Sequence, residues 1–320
     1  MSSLYRSTRG NLFRFMPIIC LVLVVAGFTA IKPAFISAFN IKNILTDAAP
    51  LLMVAGALTF VLILGCIDLS TGSVISCACV ISGLYIGQTG SGAMIGLMLA
   101  MGLAAGLLNG LVYTMLRVPT FVATLCTAAI WQCAALLISG GAPKGIPIKQ
   151  WKAIAWAKAD VIGVPVMFVV ALLFLALLYF IQCRTPVGKT VFAVGANEKA
   201  ARMMGLRTTW AKLVAFTLTG IGASLAGVFY AIKLRASLPA VGSSLTLLAI
   251  ASVVLGGTTL SGGIGSVPRT LSGVLLVIVL QNGLNIIGVD AFWQQIVFGL
   301  LVIAAIILNA DKSGRDIVIK

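Results

Sequence analysis

The 320-residue sequence contains no histidine and only seven acidic residues. Without histidine the chain lacks the usual proton shuttle near neutral pH and the commonest metal ligand, which excludes imidazole-held metal centres and histidine-based nucleophilic catalysis. Charge of either sign is scarce: 9% of residues are charged and 60% are hydrophobic, against about 25% and about 45–50% in soluble domains. A water-soluble globule is therefore excluded. The seven cysteines, Cys20, Cys66, Cys77, Cys79, Cys126, Cys133 and Cys183, fall mostly inside apolar runs and without metal-ligand spacing, so they read as packing residues. No cofactor motif is present, and no cofactor is expected.

Long apolar runs are abundant instead. A helical bilayer crossing takes about 20 apolar residues, and such runs recur at 15–31, 48–65, 72–87, 94–116, 121–139, 161–181, 213–232, 245–260, 271–287 and 292–308. The expectation is an all-α, polytopic transmembrane helix bundle of about ten spans, forming a single domain over 1–320. The shorter runs are candidates for tilted, broken or re-entrant segments. None of the ten runs contains Asp, Glu, Lys or Arg. Ion- and proton-driven carriers usually need ionisable groups inside the membrane, so the energy source is expected outside this chain and the cargo is expected to be uncharged.

The net charge of +15 would suggest nucleic acid in a soluble protein. Here the excess lies in connecting segments, where membrane orientation explains it better and no nucleic-acid partner is expected. Arg6, Arg9 and Arg14 precede the first run in a signal-like pattern, which the runs behind it make an uncleaved span. With that end in the cytoplasm, six spans return the chain inside at 183–212 and four more leave Lys312, Arg315 and Lys320 inside. Fourteen of the 22 basic residues then lie inside, a modest bias of the right sign. Outside, Lys144, Lys149, Lys152 and Lys158 accompany Trp151 and Trp156, either as a headgroup-level belt or as a docking surface for an external partner.

The 183–212 segment begins with a decoy. CRTPVGKT, 183–190, approaches the phosphate-loop pattern, but Cys183 replaces the first glycine, Pro186 interrupts it, and a membrane span stands where a strand should precede it. Next comes GANEKAARMMGLR, 195–207, with four charges. Asn197 suits an N-cap, Glu198 the positive end of a helix dipole and Gly205 a C-terminal stop, predicting a helix of about two turns. Ala200, Ala201 and Met204 share one face, suited to a groove on a partner. The alternative is a basic segment that only fixes topology.

Neutral polar groups are the candidates for a pathway. IDLSTGS at 67–73 and GGTTLSGGIGSVP at 256–268 are Gly- and Ser-rich breaks between apolar runs. There the backbone can leave helical geometry and line a cavity. Asp68 and Ser70 read equally as caps of the following helix. Asn109, Asn282 and Asn285 sit within apolar runs, as lining groups or as interhelical hydrogen bonds. TLSGG and a second NG faintly echo DLSTG and NG of the first half, a weak sign of duplication.

Together, CIDLSTGSVIS, GLLNGLV with VPTFVATL, VGANEKAARMMGL and AIASVVLGGTTLSGGIGSV with LQNGLNIIGV resemble the permease subunits of bacterial ATP-binding-cassette importers for ribose and related monosaccharides, in order from about residue 35 to 309. Cys66 and Thr71 depart from the family's Gly-Gly-Ile-Asp-Leu-Ser-Val-Gly-Ser pattern, and Cys126 stands where glycine is usual. The resemblance implies a coupling helix for the ATPase subunit at Asn197, Glu198, Ala200, Ala201, Arg202, Met204 and Gly205. It also implies a pathway for which Asp68, Ser70, Asn109, Thr120, Phe121, Thr124, Asn282 and Asn285 are candidates. The implied partners are a separate ATPase subunit, a periplasmic sugar-binding protein, a second permease copy or paralogue, and the lipid bilayer of the inner membrane. Nucleosides or branched-chain amino acids are alternative cargo, a passive channel is a further alternative, and the missing histidines and paired intramembrane acids argue against a membrane-embedded enzyme.

Overall fold

A computed structural model describes residues 2–309; Lys312, Arg315 and Lys320 lie outside the described residues. Among these the chain forms eleven α-helices: α1 (Ser2–Ile31), α2 (Ala38–Ile63), α3 (Thr71–Thr89), α4 (Ser91–Met115), α5 (Thr120–Ser139), α6 (Val166–Arg184), α7 (Pro186–Met203), α8 (Thr208–Leu234), α9 (Leu245–Leu255), α10 (Val267–Ile286) and α11 (Ala291–Asn309). Extended pairing among the described residues is limited to Lys144–Gly145 with Ala236–Ser237 and Asp160–Val161 with Val164–Pro165.

Seven helices, α2 to α6, α8 and α10, are long and apolar enough to cross a membrane. The remaining apolar runs form the shorter stretches Pro17–Ile31, Leu245–Leu255 and Phe292–Leu301. The ten expected spans therefore resolve into seven helices of spanning length and apolarity and three shorter apolar stretches, in α1, α9 and α11. At about 1.5 Å per residue, α9 falls well short of a hydrocarbon core of about 30 Å, which makes it a broken segment rather than a full crossing.

From Ala48 onward helix α2 is apolar all round, and such a stretch belongs in the middle of a bundle. Every residue from Ala48 to Ile63 is buried. Helix α8 packs against α2, α3 and α4, and small residues set those crossings. Gly102, Gly106 and Gly110 repeat at fourth positions along α4, and a Cβ on Gly106 would overlap the Phe216 and Thr217 backbone of α8. Lipid does not drive helices together by hydrophobicity, so close backbone contact through such a stripe supplies the attraction. The outer faces of α5 and α6 remain apolar and exposed, with Ile130, Leu137, Leu173 and Phe180 pointing away from the bundle.

The segment between α5 and α6 folds as a 3-10 helix, Ile148–Lys158. Its tryptophans turn inward: Trp151 Nε1 donates to the Ile146 carbonyl (3.0 Å) and Trp156 Nε1 to Ser91 Oγ (3.0 Å). Arg235 and Lys158 both lie near the Trp151 ring, Arg235 at 4.1 Å and Lys158 at 5.6 Å from its centroid. Part of this segment's cationic surface is thus spent within the chain.

Candidate functional site

Two places combine interrupted helix with polar side chains. The first is the end of α7. This helix starts at Thr185, whose side chain caps Gly188 N (3.4 Å), with Pro186 in the first turn. Residues 183–190 are consequently helix-forming and not an open phosphate loop. The helix breaks at Asn197, which is extended at φ −162° and ψ 102°, and Asn197 Oδ1 accepts from Ala200 N (3.1 Å). A fresh turn then runs over 198–203. It closes with Gly205 at φ +76°, Gly205 N donating to the Arg202 carbonyl and Leu206 N to the Ala201 carbonyl, a Schellman closure. Cap and stop fall where the sequence places them; the preceding helical stretch 186–196 was not anticipated.

Glu198 holds this turn to the bundle. Its Oε1 meets Lys212 Nζ of α8 at 2.7 Å and Arg202 at 3.2 Å, and Lys212 also lies 4.5 Å from the centre of the Tyr113 ring of α4. Ala201 is fully buried in the chain's own packing, whereas Lys199, Arg202, Met203 and Met204 are exposed, Met203 at 89%. Of the face expected to meet a partner, Ala201 is used internally, whereas Ala200 is half-buried and Met204 exposed. The outward surface is the Met203–Met204 pair with its flanking cations. Met203, three positions after Ala200, was missed. Beside the turn lies a groove of about 970 Å³ whose lining includes Arg117, Arg202, Arg207 and Lys212 against the single acid Glu198.

The second place lies inside the bundle, where two non-helical segments meet. After α2, residues 66–70 run without helical structure into α3; after α8, residues 235–244 lead into α9. The starts of α3 and α9 touch, and a Cβ on either Gly72 or Gly242 would overlap the other's backbone. Gly72 N donates to Thr246 Oγ1 (2.9 Å) and Gly242 N to Ser76 Oγ (2.9 Å). Buried backbone donors freed by a helix break need such partners in lipid.

A chain of side chains braces this junction. Thr127 Oγ1 donates to Asn109 Oδ1 (2.6 Å), Asn109 Nδ2 to Ser70 Oγ (2.7 Å), and both Ser70 Oγ (2.7 Å) and Ser70 N (2.9 Å) to Asp68 Oδ1. Leu69 N donates to Thr124 Oγ1 (3.1 Å). The structure thus gathers Asp68, Ser70, Asn109 and Thr124 into one buried network, with buried Thr120 at the start of α5, while Phe121 is 43% exposed on the bundle surface. It does not bring Asn282 or Asn285 there. Asn282 exchanges hydrogen bonds with Asn40 (2.9 and 3.0 Å), and Asn285 Oδ1 accepts from Gln294 (2.7 Å). The 256–268 segment packs against α7 and the end of α2: Gly263 N donates to the Ile63 carbonyl (2.8 Å), a Cβ on Gly195 would overlap both residues, and a Cβ on Gly262 would overlap the Gly65 backbone. Thr127, Gly242 and Thr246 were missed, although the small polar run GSSLT at 242–246, between two apolar runs, signals them.

The sequence matches the family described as "Branched-chain amino acid transport system / permease component" over residues 40–306. It is 35% identical over 306 residues to the ribose import permease protein RbsC of Bacillus subtilis, covering 95% of each chain. It is 30% identical over 314 residues to RbsC of Escherichia coli K12, covering 96% of each. The L-arabinose transport system permease protein AraH of Escherichia coli K12 is 33% identical over 283 residues, 88% of this chain and 85% of AraH. No solved structure matches the chain. A family match that takes in all seven long apolar helices makes this a multi-pass membrane protein, and the chain belongs to the branched-chain amino acid transport system / permease component family.

Proposed function

We propose that this chain is the permease subunit of an ATP-binding-cassette importer that carries a ribose-like monosaccharide across the bacterial inner membrane, with both termini and the 183–212 segment in the cytoplasm. The observation that carries the reading is the last turn of α7, which is capped separately from the rest of its helix and presents Arg202, Met203 and Met204 outward. In this reading Asn197, Glu198, Ala200, Ala201, Arg202, Met204 and Gly205 form the coupling helix: Ala201 and Glu198 seat it, and the methionines with Arg202 meet the ATPase subunit. The cationic groove beside it suits acidic groups on that subunit. A periplasmic sugar-binding protein and a second permease, a copy or a paralogue, complete the assembly. Ribose and arabinose in the relatives' names support a sugar as cargo.

The conformational route follows from packing. Movement of the ATPase subunits displaces residues 198–203, and Gly195, a few residues earlier, bears on Ile63 and Gly263. Ile63 ends α2 just before the 66–70 segment, and Gly263 belongs to the connection that follows α9. One push therefore reaches the 66–70 segment through the end of α2 and the far end of α9 through the connection that holds Gly263, a hinge arrangement suited to alternating access. In this reading Thr120, Phe121 and Thr124 of α5 line the pathway, and Asp68, Ser70 and Asn109 brace it through their chain of hydrogen bonds.

Reconstituted with its ATPase and binding protein, the chain should import D-ribose only when ATP is added. Glu198→Lys, which breaks the tie to Lys212, should lower uptake at normal membrane levels. ATP-independent flux would establish a channel, and import of leucine or a nucleoside but no sugar would establish the other cargo. For orientation, Lys199→Cys in a cysteine-free background should resist an impermeant thiol reagent in intact cells; labelling from outside would reverse the topology.

A further inference from the structure

A second polar enclosure lies toward the end of the bundle opposite α7. A cavity of about 190 Å³ is bounded by α2, α8, α10 and the start of α9. Asp47 and Lys233 form part of its wall as an ion pair, Oδ1 to Nζ 2.6 Å, so the wall is strongly polar yet carries no net charge. The same wall presents the phenol of Tyr230, the hydroxyl of Ser244 and the amide of Gln281. Among the described residues none of these three polar ends has a hydrogen-bond partner in the chain. Leucines supply apolar surface between them.

Ser244 is exposed and Tyr230 and Gln281 are half-buried, so these groups reach water when the cavity is empty, and an occupant that shields them must replace those hydrogen bonds. An apolar occupant would leave them unpaired. A charged one would have to split the Asp47–Lys233 pair or sit beside it uncompensated. What remains is a small neutral molecule with hydrogen-bonding groups in several directions and an apolar face. The volume equals about six waters at about 30 Å³ each, which suits one sugar ring and not a disaccharide. Position adds a second argument. Ser244 stands between Gly242, which touches Gly72, and Thr246, which accepts from Gly72 N, so an occupant of this cavity rests directly on the junction.

We propose that this cavity is an entry site for one monosaccharide ring, held by Tyr230, Ser244 and Gln281 and released into the pathway when the junction opens. The inference rests on the reading of the chain as a sugar permease and adds to it a location and three specificity-determining residues. In proteoliposomes holding the complete importer, Tyr230→Phe, Ser244→Ala and Gln281→Leu should each slow D-ribose uptake by about two- to tenfold, the worth of one hydrogen bond, with ATP hydrolysis stimulated by the loaded binding protein retained. Independently, Ser244→Cys in a cysteine-free background should be labelled by a small thiol reagent, and D-ribose should slow that labelling. Normal uptake in all three variants, or labelling that D-ribose does not slow, would overturn the site. A wild-type importer that moves none of a panel of monosaccharides would overturn the sugar reading and the site together.

Discussion

The chain breaks its helices at Asn197 and again at 66–70, and the two interruptions are held by opposite means. At Asn197 every contact that ends one helical stretch and starts the next lies within the same few residues: Oδ1 to Ala200 N, Gly205 N to the Arg202 carbonyl, Leu206 N to the Ala201 carbonyl. At 66–70 the partners come from α4, α5 and α9, with Thr246 and Gly242 about 170 positions away along the chain. The first break draws its backbone hydrogen bonds from its own residues, while Glu198–Lys212 and buried Ala201 fasten it to the bundle, so it moves as a unit with what it is fastened to. The second exists only while four helices keep their places, so any movement there rearranges all of them. A part that receives a push and a part that converts it into an opening need those two kinds of construction.

The sharpest way to break this contrast is at the crossing of α3 and α9. Gly242→Val drives a side chain into the Gly72 backbone and should cost on the order of 3 kcal/mol or more, read as loss of monodisperse protein in detergent; a folded, active variant would show that the junction is slack. Next is Asp68→Leu, which strands the Ser70 N–H and hydroxyl in a buried site at a cost of about 2 kcal/mol. Its thermal midpoint should drop well below that of Asp68→Asn, which still offers an acceptor; equal midpoints would mean that the network does not hold the break. The smallest effect belongs to the local break. Asn197→Ala removes a cap worth about 1 kcal/mol and should leave the midpoint almost unchanged while uptake falls, with Asn197→Asp restoring uptake. A midpoint drop as large as that of Asp68→Leu would erase the distinction.

The same contrast decides what could be read from residues alone. The turn over 198–203 was legible because cap, charge and stop are adjacent letters. The long apolar helices were legible because hydrophobic length measures a bilayer directly. The pairing of Gly72 with Gly242 was not, since nothing in DLSTG names its partner. TLSGG at 259–263 echoes it in letters but packs near α7 and the end of α2, whereas the partner is GSSLT at 242–246. Nor could sequence foretell that Ala201 faces inward, because an alanine suits either side of a helix and Glu198–Lys212 decides the rotation. Asn282 and Asn285 looked like companions of Asn109 by type, but their partners, Asn40 and Gln294, are set by the docking of α10 and α11.

The length of α9 bears on how the protein is made. Eleven residues give about 16 Å of helix, so this segment and the non-helical backbone of 235–244 before it, whose partners come from other parts of the chain, have no stable place in lipid on their own. They gain one only when Ser76 and the start of α3 are already there to accept them. Insertion into the membrane and completion of the fold are then separate events. The C-terminal part of the chain must be synthesised before the earlier break at 66–70 acquires its final partners, and quality control of this permease will sense that late step.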